Sequence, residues 1–128
     1  LGGQVQLMFA TMPAAMPHVR SGKLRAIAVT SAKRSQAMPE LPTIGETLKG
    51  YEASTWYGVL LPAHTPRAIV TLLHAQIVKI LGAVDTRDRL LAQGFEPVGG
   101  TPAEFGAYIK AEIAKWGKVI KAAGIKAE

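Results

Sequence analysis

The chain has 128 residues, 48% of them hydrophobic, so it can bury one core but hardly two. Its 15 basic and 9 acidic residues give a formal net charge of +6, which attracts nucleic acid, anionic lipid or anionic small molecules at long range. Because cysteine is absent, disulfides, thiolate zinc sites and cysteine nucleophiles are excluded.

The beginning of the chain predicts a strand, a helix and a second strand. Residues 5–9 are a short apolar strand candidate, and residues 13–20 can form a short helix despite their prolines. After Gly22, residues 24–30 form an apolar, partly β-branched run that suits a strand buried on both faces of a parallel sheet. A right-handed crossover makes such strands parallel, and ligands of open α/β sheets collect at their carboxyl ends.

The middle of the chain predicts a short helix and a long extended crossing. Thr43 and Glu46 have the spacing of a capping box, and Gly50 is expected to end the helix that they begin. Residues 53–62 are rich in aromatic and β-branched side chains, and Gly58 marks a bend or a close approach within them. We place a subdomain boundary in this crossing, within residues 54–62.

The remaining residues predict helices with apolar stripes. Thr65 is the expected N-cap of the first helix, with Pro66 at its first helical position. One face of this helix carries apolar residues at helical spacing, namely Ile69, Leu73, Ile77 and Ile80. Residues 85–88 begin a second, short helix that ends at Gly94, and residues 95–98 are a brief edge-strand candidate.

The last predicted helix begins with a second capping box, formed by Thr101 and Glu104, and ends at Gly124. Its apolar stripe consists of Phe105, Ile109, Ile113, Trp116 and Ile120. The second half of the chain is therefore predicted to be mostly helical.

Catalytic and metal-binding signatures are missing from the sequence. His18, His64 and His74 lack partners at metal-ligand spacing on a shared helix face. The nucleophile elbow Gly-x-Ser-x-Gly and the glycine-rich phosphate loops are absent as well. The acidic residues of the predicted helices fall where caps and solvent faces favour acids, namely Asp85, Asp88, Glu104 and Glu112. We therefore predict no catalytic residue, no metal site and no cofactor.

Two segments are ligand-site candidates. Phe9, Ala10 and Thr11 follow the first predicted strand and precede a helix, so their backbone could face an anion at a helix N-terminus, with the Thr11 hydroxyl beside it. The alternative is an ordinary helix start. Trp56 and Tyr57 place two amphipathic aromatic rings in the crossing, where they either wall a cleft or belong to the core.

A series of short motifs runs through the chain in a fixed order. They are residues 5–9, residues 17–31, Lys33-Arg34-Ser35, Met38-Pro39-Glu40-Leu41-Pro42-Thr43, Gly50-Tyr51-Glu52, Trp56-Tyr57-Gly58, Gly94-Phe95-Glu96-Pro97, Thr101-Pro102-Ala103-Glu104-Phe105 and Ala123-Gly124-Ile125. Each motif alone is weak, but their joint order and spacing are specific. The chain resembles the TctC/Bug family, the periplasmic solute-binding receptors of tripartite tricarboxylate transporters, over essentially its whole length.

This resemblance implies an α/β fold, the C-terminal part of a two-lobed, type II periplasmic-binding-protein-like architecture with a parallel or mixed sheet and flanking helices. Residues 1–54 would complete the second lobe, and residues 55–128 would form the crossing strand and the helical end of the first lobe. The implied function is a non-enzymatic, periplasmic receptor that captures a carboxylate-containing small molecule for the transporter's membrane subunits. The implied site residues are Phe9, Ala10, Thr11, Trp56 and Tyr57.

Two departures from the family pattern bear on the site. Many relatives carry a polar or acidic residue near Ala10, so the ligand class stays open. Relatives usually carry glycine where this chain has His64, which predicts a local difference in the turn before Thr65.

Family members are more than twice as long as this chain, which predicts that the chain is a fragment with exposed apolar faces. We expect such faces, including part of the Ile69–Ile80 stripe, to drive self-association. The rival hypothesis is a small basic α/β regulatory or nucleic-acid-binding domain, although the basic residues are scattered rather than clustered. An enzyme ranks third, because no nucleophile, base and orienting group can be assembled.

Overall fold

The computed structural model describes residues 1–126, which contain five helices. The helices are α1 (Met12–Arg20), α2 (Ile44–Thr47), α3 (Arg67–Gly82), α4 (Val84–Ala92) and α5 (Pro102–Ala123). Within the described residues, no single helix has both the length and the apolar character to cross a bilayer; only α3 and α4 taken together do, and they are bent by 72°.

The predicted helix ends are mostly confirmed. Thr43 and Thr101 both accept a hydrogen bond from the backbone N–H of the glutamate three residues later, at 3.1 and 3.2 Å, and both capping boxes are complete. The predicted N-cap at Thr65 is wrong by one residue, because α3 begins at Arg67 with Pro66 as N-cap. The Thr65 hydroxyl instead donates to the Pro62 carbonyl at 2.8 Å.

The predicted strands are not formed within residues 1–126. Residues 5–9, 53–62 and 95–98 have irregular structure, and the run 24–30 is represented by one isolated parallel bridge between Val29 and Thr43. A strand needs a neighbour for its backbone N–H and C=O groups. In this chain the neighbour is a loop: Val29 N donates to Pro42 O, and Ile44 N donates to Val29 O, each at 2.9 Å.

Burial is also lower than the sequence predicts. Ile27 is 61% exposed, so the run 24–30 is not buried on both faces. Met16 and Val29 are the buried apolar side chains among the described residues. The predicted stripe of α3 faces solvent in large part, since Ile69 and Ile80 are 46% and 56% exposed.

The total surface agrees with this open architecture. A compact folded chain of 13.6 kDa exposes about 6,600 Å² by the scaling of surface with mass. This chain exposes 10282 Å². The chain therefore exposes about 3,700 Å² more than a compact chain of its mass.

His64 occupies a backbone conformation that favours glycine, with φ at +67°. This explains physically why a glycine suits the turn before Thr65. We expect His64→Gly to stabilise the chain by about 0.5–1 kcal/mol. The left-handed conformation costs a residue with a Cβ about 1–2 kcal/mol, and the greater backbone freedom that glycine loses on folding offsets part of this gain. The midpoint of urea unfolding at a fixed protein concentration measures it. Ala63→Gly is the control and should destabilise; a lower midpoint for His64→Gly would contradict the prediction.

Candidate functional site

Residues 9–11 lead directly into α1, and all three side chains are exposed. Thr11 is the N-cap, with φ −66° and ψ 143°, and its carbonyl accepts hydrogen bonds from Ala14 N and Ala15 N at 3.1 Å. Its hydroxyl makes no capping hydrogen bond, in contrast to the hydroxyls of Thr43 and Thr101. The first turn of α1 also carries no acidic residue, so the positive end of its dipole meets no negative side chain there.

The aromatic pair of the crossing packs in two directions. The Trp56 ring makes edge-to-face contacts with Phe105 and Tyr108 of α5, with centroids 5.6 Å apart in each case. Tyr57 contacts Phe95 in the same manner at 5.8 Å, and it stays 75% exposed. Trp56 therefore packs against α5, whereas Tyr57 exposes most of its surface to solvent.

All five predicted site residues border one concavity with a volume of about 2540 Å³. Sites for small molecules usually have about 300–1,000 Å³. The concavity is therefore too large to be a ligand pocket by itself, and its lining extends over much of the chain. Phe9, Ala10, Thr11, Trp56 and Tyr57 all border it, but it forms no enclosed site around them.

A small buried junction holds the two parts of the chain together. Met16 is 3% exposed, and the Ser35 hydroxyl donates to Met12 Sδ at 3.6 Å. Gly94 closes the junction from the other half of the chain: a Cβ placed on it would lie 2.7 Å from Met16 Sδ and 2.8 Å from Met12 Cγ. We call Met12, Met16, Ser35 and Gly94 the methionine junction.

Two polar contacts brace the methionine junction from outside. Gln36 N donates to Glu96 Oε1 at 2.9 Å, and Arg87 Nη2 donates to Gln36 Oε1 at 3.1 Å. Both contacts join the loop after residue 30 to the segment around α4. The junction therefore holds α1, which directly follows residues 9–11, against the segment around Gly94.

The prediction that Glu112 lies on a solvent face of its helix is wrong. Glu112 is only 7% exposed on α5. Its Oε2 accepts a hydrogen bond from Trp116 Nε1 at 2.9 Å, and its Oε1 forms an ion pair with Lys115. Lys115 first and Trp116 second hold the pKa of the Glu112 carboxyl below its ordinary value. The sequence signal was available, because Tyr108 and Trp116 lie four residues on either side and so share its helix face.

Arg34 and Glu46 form the other well-defined charge pair. Arg34 Nε and Nη2 donate to the two carboxylate oxygens of Glu46 at 2.8 and 2.7 Å. Thr43 N donates to the same carboxylate at 3.1 Å. The hydrogen bond from Arg34, followed by that from Thr43, lowers the pKa of Glu46 from 4.5 to about 2.

These contacts predict an acid-sensitive loop between Arg34 and α2. Because the pKa of Glu46 is lowered by folding, its contribution to stability is present above pH 4.5 and is lost as the pH falls toward about 2. We expect urea midpoints to drop across this window in the parent chain and to drop less in Glu46→Gln. The pair is half-exposed, so solvent screening keeps the effect modest. The exposed Glu40, changed to Gln, is the control; equal pH profiles for parent and Glu46→Gln would contradict the prediction.

Residues 1–126 contain no candidate metal-binding cluster. No group of three or more histidine or acidic side chains there is arranged to hold an ion. His74 instead contacts the Gly100 carbonyl through Nε2 at 3.2 Å and so links α3 to the loop before α5.

The sequence profile of the tripartite tricarboxylate transporter family receptor, TctC, matches residues 1–125. The chain belongs to this family. It is 38% identical to BugT of Bordetella pertussis (strain Tohama I) over 129 residues, which cover 98% of this chain and 39% of that relative. It is 35% identical over 122 residues to the UPF0065 protein in the tcbD-tcbE intergenic region of Pseudomonas sp. (strain P51), covering 94% of this chain and 36% of that protein.

Two solved structures are similar to this chain. The R. palustris protein Rpa4515, solved with adipate, matches at a TM-score of 0.78 with 41% identity, covering 88% of this chain and 38% of that one. The periplasmic binding protein BugD matches at 0.76 with 31% identity, covering 89% and 39%. The chain thus spans about two fifths of the length of these relatives, and its similarity to periplasmic binding proteins is consistent with an α/β fold.

Proposed function

We propose that this chain is the C-terminal portion of a two-lobed, periplasmic solute-binding receptor that captures a carboxylate-containing small molecule. The match of residues 1–125 to the receptor family carries the proposal. A relative solved with the dicarboxylate adipate, at 41% identity, supports the ligand class. Residues 1–54 would complete one lobe, and residues 55–128 would supply the crossing and the helical end of the other.

The ligand carboxylate would lie at the N-terminus of α1. Three features of Thr11 and its turn favour an anion there: the hydroxyl is not used for capping, the first turn has no acidic side chain, and the segment is exposed. Trp56 and Tyr57, which line the same concavity as Thr11, would border the apolar part of the ligand. The receptor would act without chemistry, closing its lobes over the anion and delivering it to membrane subunits of the transporter.

Calorimetry on the full-length receptor tests this proposal. We expect heat and a thermal shift with adipate or another member of a panel of aliphatic and aromatic carboxylates. The neutral analogue adipamide should give neither, since the helix N-terminus and the Thr11 hydroxyl recognise negative charge. No heat and no thermal shift across the whole panel would contradict the proposal.

A matched pair of variants locates the site. Thr11→Val removes the free hydroxyl while keeping the side-chain shape, and we expect it to weaken carboxylate binding by about fivefold, the value of one hydrogen bond. Thr71→Val makes the same change at an exposed position of α3 and should leave the affinity unchanged. If the two variants bind the carboxylate equally tightly, Thr11 does not contact it.

A further inference from the structure

The backbone of the crossing, residues 53–62, is unpaired over most of its length. Within the part of the chain that the structure describes, residues 54–61 make no backbone hydrogen bond, and they run without a turn or a sharp bend. At one end Ala53 N donates to the Thr30 carbonyl at 2.9 Å, and at the other Thr65 N donates to the Pro62 carbonyl at 3.3 Å. The crossing is thus an extended segment whose N–H and C=O groups can pair with another strand.

Helix α5 holds the crossing in place. The Trp56 ring packs edge-to-face on Phe105 and Tyr108. Gly58 lies so close to Phe105 that a Cβ added to it would overlap the ring. The segment is therefore ordered before any partner arrives, which lowers the entropic cost of pairing.

The crossing lacks the features that usually protect a free strand edge. Natural edge strands carry lysine, other charges or proline, which prevent pairing with a second chain. Residues 54–61 contain no charged residue and no proline. Their side chains are also apolar and open to solvent, since Tyr57, Val59 and Leu60 are 75%, 65% and 73% exposed. A strand that pairs here would therefore satisfy backbone groups and remove apolar surface from water at the same time.

We propose that the crossing is a docking edge for a second copy of this chain, whose own crossing pairs with it in the antiparallel direction. A segment that pairs with itself about a twofold axis runs antiparallel, and such a pair closes as a dimer. The exposed area favours a second copy as the occupant. The chain exposes about 3,700 Å² more than a compact chain of its mass, and obligate dimers bury about 2,000–5,000 Å². This inference concerns the 128-residue chain by itself and does not rest on the proposed function.

Proline substitution in the 128-residue chain tests the docking edge. Neighbouring residues of a strand point their N–H groups to opposite edges, so either Val59→Pro or Leu60→Pro removes a donor from the paired edge. We expect at least one of them to weaken dimerisation, measured by sedimentation, about tenfold or more, because the lost hydrogen bond occurs twice in a twofold dimer. Gln6→Pro, at another residue whose N–H is unbonded, is the matched control and should associate like the parent. If both crossing variants associate like the parent, the proposal is overturned.

Infrared spectroscopy of the unsubstituted chain provides a measurement that needs no variant. Dimerisation through the crossing adds a pair of antiparallel strands, whereas packing of helix faces adds none. We therefore expect the amide I band of antiparallel β-structure to grow with the dimer fraction as the protein concentration is raised. Association without growth of that band would overturn the proposal, and so would a chain that stays monomeric at high concentration.

Discussion

Gly94→Ala is expected to destabilise the chain by about 3 kcal/mol. Gly94 has φ at +84°, a conformation that costs a residue with a Cβ about 1–2 kcal/mol. Its new Cβ would also lie 2.7 Å from Met16 Sδ and 3.1 Å from Met12 Cβ. The methionine side chains can shift, but Met16 is 3% exposed and has little free space, so overpacking adds about 1–3 kcal/mol.

Gly22→Ala separates the two causes. Gly22 has a similar φ of +72°, but a Cβ there would meet nothing within 4 Å. This control should therefore cost only the backbone term, about 1 kcal/mol. Urea unfolding at a single protein concentration measures both variants, and equal losses of stability would show that the methionine junction does not resist the added methyl group.

Elements that depend on residues close together in the sequence were predicted more accurately than elements that depend on distant partners. The capping boxes at Thr43 and Thr101 were predicted correctly because each depends on residues three positions apart. The stop of α1 before Gly22 and the end of α5 at Gly124 are equally local, since a positive φ at glycine ends a helix without help from elsewhere.

Strands depend on neighbours, and this is where the sequence was insufficient. The run 24–30 has the composition of a buried strand, yet its pairing is decided by what lies beside it, here residues 42–44. The crossing around Trp56 is similar: its aromatic residues suggested a strand, but their observed contacts are with α5 and Phe95. A single sequence contains no direct information about these distant partners.

The site could be predicted only in part for the same reason. Thr11 could be proposed as a site residue because a threonine before a helix is a local signal, whereas the absence of a capping hydrogen bond from its side chain is visible only in the structure. Glu112 was misplaced because a lone acid on a helix is usually solvated. Its partners are Lys115 and Trp116 of its own helix, so the apolar neighbours on that helix face were the signal that outweighs the general rule.

The isolated 128-residue chain is expected to form dimers or larger assemblies in solution. Its surface exceeds that of a compact monomer of the same mass by about 3,700 Å², and stable obligate interfaces bury about 2,000–5,000 Å² in total. The excess includes apolar side chains on α3 and α5, such as Leu72 at 60% and Ile113 at 68% exposure. Covering this surface with a second copy removes apolar area from water, which is the main driving force for association.

Light scattering at several concentrations checks this expectation, and a monomer mass at high concentration would contradict it. Ile69→Lys combined with Leu73→Lys places charge on the predicted stripe of α3 and should shift the assembly toward monomer. Thr71→Lys adds charge to an exposed polar position of the same helix and should not. The longer receptor of the proposed function provides a second comparison, because its further polypeptide would cover apolar surface that the 128-residue chain exposes. If that receptor is a monomer while the 128-residue chain associates, the covered surface drives association; if both associate equally, the interface lies elsewhere.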